Sequence, residues 1–518
     1  MENFIEIIKG NNQNEMSELL NQLLESYNNT PSEELAIMIG TLSFMTHRVT
    51  NILWRQLLKN PRKIMSLARK INLGEVWCAL GNENVRIGKY KEAQKCYKRS
   101  LKINPKNVDA LIGLAKIEYF FRRDLLKSVK YCDQALDIEE RVEAYGYKIP
   151  IYYDMYVQKE KLQSLIERAL SLEDKTPNDK IERAVIMHIN ALLNKSKEML
   201  NEVFGFLELI SKEFESYEYY WWTRGSIFCN EKILDKAFQC ARKGLSINQN
   251  YIPLLTLMGR ILFVLKRDTE AEQYLRRALE LSPNNASVLF NLGMLYYALK
   301  LYSGAQKIFE DIVKLSPNDW LSWHMIGLTL YERRSPRESI PNFKRSLNIA
   351  PNYLPSILYL ANSYNWLGNK DEALKYYLRA EKMIPDDLKL LFQIGKIYYE
   401  KGKYRKAKKY LEKVTSLDPR NVKALFLLGL TYNRLSKTDK AAECFKRILE
   451  INPQHADAWY ELGMYYYSKF FEIKDIEFKR KAEECLRIAC KLGNDYACYE
   501  IGEKKRRFTR ELVNREGD

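Results

Sequence analysis

Six prolines stand in strict register: Pro283, Pro317, Pro351, Pro385, Pro419 and Pro453 are each 34 residues apart. A fixed period of this length marks a stacked repeat, in which one small unit recurs and buries its apolar face only against its neighbours. Other positions keep the same beat. A small residue lies 24 places before each proline (Gly259, Gly293, Gly327, Ala361, Gly395, Gly429) and another 12 before (Ala271, Ala305, Ser339, Ala373, Ala407, Ala441). A large apolar residue recurs 8 before (Leu275, Phe309, Phe343, Tyr377, Leu411, Phe445).

The period has a physical reading. Proline has no amide hydrogen and cannot continue the helix before it, so each proline closes a unit. Asn318-Asp319 and Asp386-Asp387 follow at once and suit the cap of the next helix. Each unit is then expected to be a pair of antiparallel helices, with the small residues letting the two backbones approach. Large side chains such as Trp323, Phe309 and Tyr377 are expected to fill the gap to the neighbouring unit. The composition agrees: 15 prolines and 22 glycines in 518 residues are too few for a chain of strands and turns, and 46% hydrophobic residues argue against disorder.

This set of positions resembles the tetratricopeptide repeat, with its small residues at the eighth and twentieth positions and its closing proline. The resemblance implies an all-α fold, a right-handed α-solenoid of stacked antiparallel helix pairs. It also implies a non-enzymatic role in holding other proteins. The register is regular over 217–456. Trp77, Gly81, Ala93, Tyr97 and Pro105 make a good unit near the start; Leu111, Ala115, Ser128 and Ala135 make the next with one residue inserted, completing repeats over 71–140. Residues 141–216 read as degenerate helical repeats, 1–70 as a helical N-terminal cap, and 457–518 as an irregular last repeat with a C-terminal capping helix. The stretch "KAEECLRIACKLGNDYACYEIG" is similar to the related Sel1-type repeat as well.

In this family the first helix of each pair lines a concave groove. The matching positions carry Phe290, Met294 and Tyr297; His324, Leu328 and Tyr331; Asn362 and Asn365; Phe392, Lys396 and Tyr399; Phe426 and Asn433; and Tyr460 and Tyr467. An aromatic and aliphatic strip of this kind suits a bound peptide or helix, since aromatic anchors supply most of the energy of such contacts. Two specialised grooves of the family are absent. Thr256/Arg260, Phe290/Met294, His324/Leu328 and Leu358/Asn362 do not form the lysine–asparagine carboxylate clamp of chaperone co-factors. Asn291 is followed by Met325, Tyr359, Gln393 and Leu427, which is not the asparagine ladder of the O-linked N-acetylglucosamine transferase type.

Chemistry is scarce. The four histidines (His47, His188, His324, His455) show no metal-ligand spacing, and "GNENVRIGK" at 81–89 lacks the spacing of a phosphate loop. Cys485, Cys490 and Cys498 are too widely spaced for a zinc site. No cofactor, catalytic residue or metal is expected. The nine cysteines read as reduced thiols, and no run is long and apolar enough for a membrane span, so the expected location is the cytoplasm. The net charge of +17 is uneven. Residues 389–413 carry nine basic and two acidic groups, and the tail "EKKRRFTREL" forms a second cluster. A solvated lysine face explains this better than nucleic-acid contact, because aromatic residues are not interleaved there. The expected partner is therefore a protein segment. The alternatives are a structural subunit of a large assembly, as in the anaphase-promoting complex, and a basic nucleic-acid-associated adaptor.

Overall fold

The computed structural model describes residues 13–29, 35, 38, 39 and 74–502. Most of the expected N-terminal cap and the basic tail from 503 lie outside the described residues. Among the described residues the chain is built of helices and turns, with no strand. It divides into two units, residues 1–356 and 357–518, a break that falls inside the stretch read as one regular array.

The first unit contains α1 (Gln13–Asn29), α2 (Gly74–Arg86), α3 (Tyr90–Ile103), α4 (Val108–Ile117), a π-helical turn (Glu118–Arg122), α5 (Leu125–Leu136), α6 (Val142–Asp154), α7 (Lys159–Leu170) and α8 (Pro177–Asn194). It continues with α9 (Lys197–Leu209), α10 (Glu218–Asn230), α11 (Leu234–Ile247), α12 (Ile252–Val264), α13 (Asp268–Leu281), α14 (Ala286–Ala298), α15 (Tyr302–Leu315), α16 (Trp320–Glu332) and α17 (Pro336–Ile349). The break between units lies within α18 (Leu354–Trp366). The second unit holds α19 (Lys370–Glu381), α20 (Leu388–Glu400), α21 (Tyr404–Leu417), α22 (Val422–Arg434), α23 (Thr438–Ile451), α24 (Ala456–Ile473) and α25 (Ile476–Lys491). Within each unit, helices adjacent in sequence pack side by side as pairs, and each pair packs on the next.

The turn inside each pair is short because one residue adopts the left-handed conformation. Lys232, Lys266, Lys300, Arg334, Gly368, Gly402 and Ser436, again 34 apart, have φ between 58° and 78°. Glycine takes this conformation freely; the lysines and arginine accept some strain to close the hairpin.

The small residues do allow close approach, but their partners differ from the expectation. A Cβ on Gly293 would lie 2.8 Å from the Phe309 ring, one on Gly327 2.7 Å from Phe343, and one on Gly429 2.7 Å from Phe445. The large residue therefore sits on the glycine of its own pair, rather than mainly filling the gap to the next. Trp323 is held differently. Its indole N–H donates to the carbonyl of Pro317 at 2.8 Å, and the Arg345 guanidinium lies 4.5 Å over its ring. Trp459 donates to Pro453 in the same way. The closing proline thus ends one helix and, through its carbonyl, anchors the first helix of the next.

Gly327→Leu is expected to destabilise the protein by about 1–3 kcal/mol, the usual cost of overpacking, because the buried Phe343 ring cannot swing aside. In a stack whose units touch only neighbours, the loss should concentrate in α16, α17 and the adjoining pairs. Hydrogen exchange checks this: a uniform loss of protection along the chain would contradict the stacked arrangement.

Two expectations are corrected. Asn285, Asp387 and Asn421 cap the helices that follow them, but Asp319 does not; its carboxylate is committed elsewhere. The nine thiols are not all free: Cys490 and Cys498 form a disulfide, because the turn at Gly493 (φ +91°) folds the last helical segment back onto the end of α25. The other seven cysteines are free and buried. The residue inserted between Ala115 and Ser128 is taken up by the π-helical turn Glu118–Arg122, a wider turn that absorbs one extra residue.

Candidate peptide-binding surface

The π-helical turn redirects the chain. It ends at Arg123 (φ +56°), and Asp124 caps α5. From here the backbone faces the first helices of later repeats in the same unit. The carbonyl of Tyr119 accepts from Ser287 Oγ at 3.2 Å, and the carbonyl of Arg122 accepts from Ser316 Oγ. The Arg123 guanidinium stacks 3.8 Å over Phe290 and pairs with Asp319 at 2.9 Å. Asp319 is fully buried and also accepts from Ser322 Oγ at 2.6 Å, which is why it is not free to cap α16. Leu125, Val129 and Ile151 share an apolar cluster with Trp320 and Ala350. Tyr156 meets Tyr353 edge to face at 5.9 Å.

The predicted groove residues of the first unit are therefore largely occupied by the chain itself. Phe290 lies between Arg123 and the Phe309 ring. His324 is 5% exposed, its Nδ1 2.9 Å from Ser356 Oγ, and burial pushes its pKa down to about 4, so it is neutral at pH 7. Leu328 is 8% exposed. For His324 and Leu328 the expectation of an open groove position is corrected: both are buried, the His324 ring against Phe343 at 5.5 Å and Tyr353 at 5.2 Å. Met294, Tyr297 and Tyr331 are half-buried, Tyr297 against Tyr302.

The second unit keeps its strip differently. Phe392 on α20 is half-buried against the cluster of Leu391, Val414 and Ala424. Lys396 is exposed, and Tyr399 packs edge-on to Tyr404 at 5.5 Å. On α22, Phe426 lies between Phe445 (5.9 Å) and His455 (5.3 Å), and Asn433 donates to Glu461 at 3.2 Å. Tyr460 on α24 is half-buried beside Tyr496. Asn365 is half-buried, and Asn362 accepts from the Tyr377 hydroxyl. Tyr467, at 6% exposure, packs on Ala482 and Leu486; it is a core residue, which corrects its expected groove position. Among the described residues, the helices carrying this strip pack on the repeats next to them in sequence. The basic run lies mainly on α21, the second helix of its pair, where Lys408 meets Glu412 at 3.6 Å and Lys413 meets Asp386 at 3.0 Å.

The degenerate repeats hide a polar core that sequence reading missed. Lys116 Nζ lies 2.5 Å from Glu143 Oε1, and the Tyr219 hydroxyl donates to Glu182 while meeting Tyr147 at 2.7 Å. The only signal was charge inside apolar runs, as in "GLAKIEYFF" and "KIERAVIMH". Burial raises the Glu182 pKa to about 8, against an ordinary value near 4.3. Above the ordinary value the unfolded chain has given up its proton while the folded chain keeps it, so stability falls as pH rises from about 4.5 to about 8. Between pH 6 and pH 8 this group should remove about 2 kcal/mol. The Glu182→Gln variant should lose that part of the slope, which paired urea-unfolding midpoints at the two pH values would show.

Among the described residues, no cluster of histidine, cysteine and carboxylate side chains could hold a metal ion, and no helix is long and apolar enough to cross a membrane. Tetratricopeptide-repeat family models match residues 74–107, 266–326, 356–382, 392–456 and 434–469. A comparison with curated proteins gives no match. Among solved structures, the chain is similar to the APC/C heterotetramer Cut9–Hcn1, at 12% identity over 95% of this chain and 93% of that one, with a TM-score of 0.49. It is also similar to two structures of MamA. One is 21% identical over 33% of this chain and 94% of that one (TM-score 0.31), and the other 22% identical over 32% and 96% (TM-score 0.30).

Proposed function

Since the chain is a tetratricopeptide-repeat protein, we propose that it is a non-enzymatic scaffold that grips a protein segment along the first helices of its second unit. One contrast carries this reading. In the first unit Arg123 stacks on Phe290 and Leu125, Val129 and Ile151 pack on Trp320 at the start of α16, whereas the contacts of Phe392, Tyr399 and Phe426, on two successive first helices, come from their own and the adjoining repeats. Half-buried aromatic rings already fixed by neighbours lose little freedom on binding, which favours them as anchors. Asn362, Asn365, Lys396 and Asn433 supply the polar rim, and Tyr460 extends the strip. The proposed site of action is the cytoplasm, which the seven free buried thiols favour and the Cys490–Cys498 disulfide does not.

The test begins with proteins captured from the cell's own extract. Affinity for such a partner is then compared between the native protein, a form with Phe392→Ala and Phe426→Ala, and a form with Arg405, Lys408 and Lys409 neutralised. Loss in the first variant alone supports the groove. Loss in the second alone, with steep salt dependence, identifies the basic face and an electrostatic partner instead.

A further inference from the structure

The strip on α20 and α22 has a charge pattern that narrows its partner. Lys389, Phe392, Lys396 and Tyr399 follow one another along α20 at steps of three and four residues, so they share one face of the helix. Leu390, Leu391, Ile394 and Ile397, off that face, are buried. Lys423, Phe426, Leu430 and Asn433 repeat the arrangement on α22, with Ala424, Leu425 and Leu428 buried behind them. The two helices touch, so the faces lie side by side. Lys389, Lys396 and Lys423 are exposed, and Phe392 and Phe426 are half-buried between them along the helices.

α20 and α22 carry four basic residues, Lys389, Lys396, Lys423 and Arg434, against one acidic residue, Glu400. Glu400 is held by Lys370 at 2.9 Å, with Lys396 further off at 3.9 Å. Lys389 and Lys423 have no ion pair or side-chain hydrogen bond among the described residues. The charge is local to these two helices. α18 has no charged residue, and on α24 the matching position is Asp457, which accepts from Asn494 at 2.8 Å. The lysine pair therefore falls on the same two repeats as the phenylalanine pair. Like charges at matching positions of touching helices repel in the free chain. A carboxylate placed between them removes that repulsion and is attracted by both.

We infer, on the reading that this strip is the groove, that the segment it holds is acidic. Its aliphatic or aromatic side chains lie on Phe392, Tyr399 and Phe426, and its carboxylates meet Lys389, Lys396 and Lys423. The rings supply most of the affinity. The lysines choose the partner and speed its approach, because exposed charges each add little binding energy but steer encounter and reject a segment of like charge.

A displayed library of random peptides of about twelve residues, long enough to cross two repeats when extended, is selected on the full chain. Enriched peptides should hold more aspartate and glutamate than the starting library, together with leucine, phenylalanine or tryptophan. The best of them is then labelled and titrated. Its affinity should fall about tenfold in Lys389→Gln/Lys423→Gln, and should fall with added salt in the native chain but much less in that variant. Phe392→Ala/Phe426→Ala should lose at least about thirtyfold, and the form with Arg405, Lys408 and Lys409 neutralised should bind normally. Circular dichroism confirms that each variant is folded. Peptides that need the two phenylalanines but show no acidic excess, or that bind Lys389→Gln/Lys423→Gln as well as the native chain, overturn the acidic partner and leave the groove standing. Peptides indifferent to both pairs, or no enrichment at all, overturn both readings. A labelled oligothymidylate that binds through the lysine pair where no acidic peptide does assigns the strip to nucleic acid, and overturns the inference as well.

Discussion

Arg123→Ala is expected to lower the stability of the first unit by about 3–5 kcal/mol, because it strands a buried charge. Asp319 is fully shielded from water, and its carboxylate is held by Arg123 and Ser322 alone among side chains of the described residues. Removing one partner of such a pair costs far more than the pair itself contributes, since the desolvated ion remains. The Arg123 side chain also covers Phe290, so that ring is opened at the same time. Asp319→Asn in the same background should recover much of the loss by removing the stranded charge. Denaturant unfolding of the two single variants and the double variant measures this coupling. Equal, additive losses would mean that the pair is not the clasp described above.

Phe392→Ala and Phe426→Ala should each weaken partner binding by about 2 kcal/mol, roughly thirtyfold, if these rings are anchors. The rings sit on α20 and α22, at equivalent positions of successive repeats, where one bound segment can touch both. Phe426 is braced by Phe445 and His455, so its truncation also costs some stability; Phe426→Leu separates the two effects by keeping bulk without the ring. Tyr399→Phe is the complementary probe. It keeps the ring and removes the hydroxyl near the Arg434 guanidinium, and a small change there would place the energy in apolar contact.

The repeat was legible because its signals are local and periodic. Gly327 and Phe343 stand 16 residues apart in one pair, and the same spacing recurs at Gly293–Phe309 and Gly429–Phe445. What the sequence did not show depends on partners far apart in the chain. Arg123 and Asp319 are separated by 196 residues, and nothing in "FFRRDLL" or "SPNDWLS" announces the other. Asp319 looked like a cap because Asn and Asp commonly cap at that position, but a buried ion pair claimed it instead. His324 and Leu328 looked like groove residues because the family pattern places them there; Tyr353 and Ser356, ahead of and within the next first helix, cover the His324 ring instead. The inserted residue after Ala115 was visible, and its consequence for the first unit was not. Lys116, Glu143 and Glu182 escaped notice because a charge within a degenerate helix reads as surface until its neighbours are known.

The central claim is that a protein segment lies along α20 and α22 of the second unit. Hydrogen exchange of the full chain, with and without a captured partner, tests it most directly. The account predicts added protection in Leu388–Glu400 and Val422–Arg434, with little change in Tyr404–Leu417. Protection confined to Tyr404–Leu417, with none on the two first helices, would contradict it.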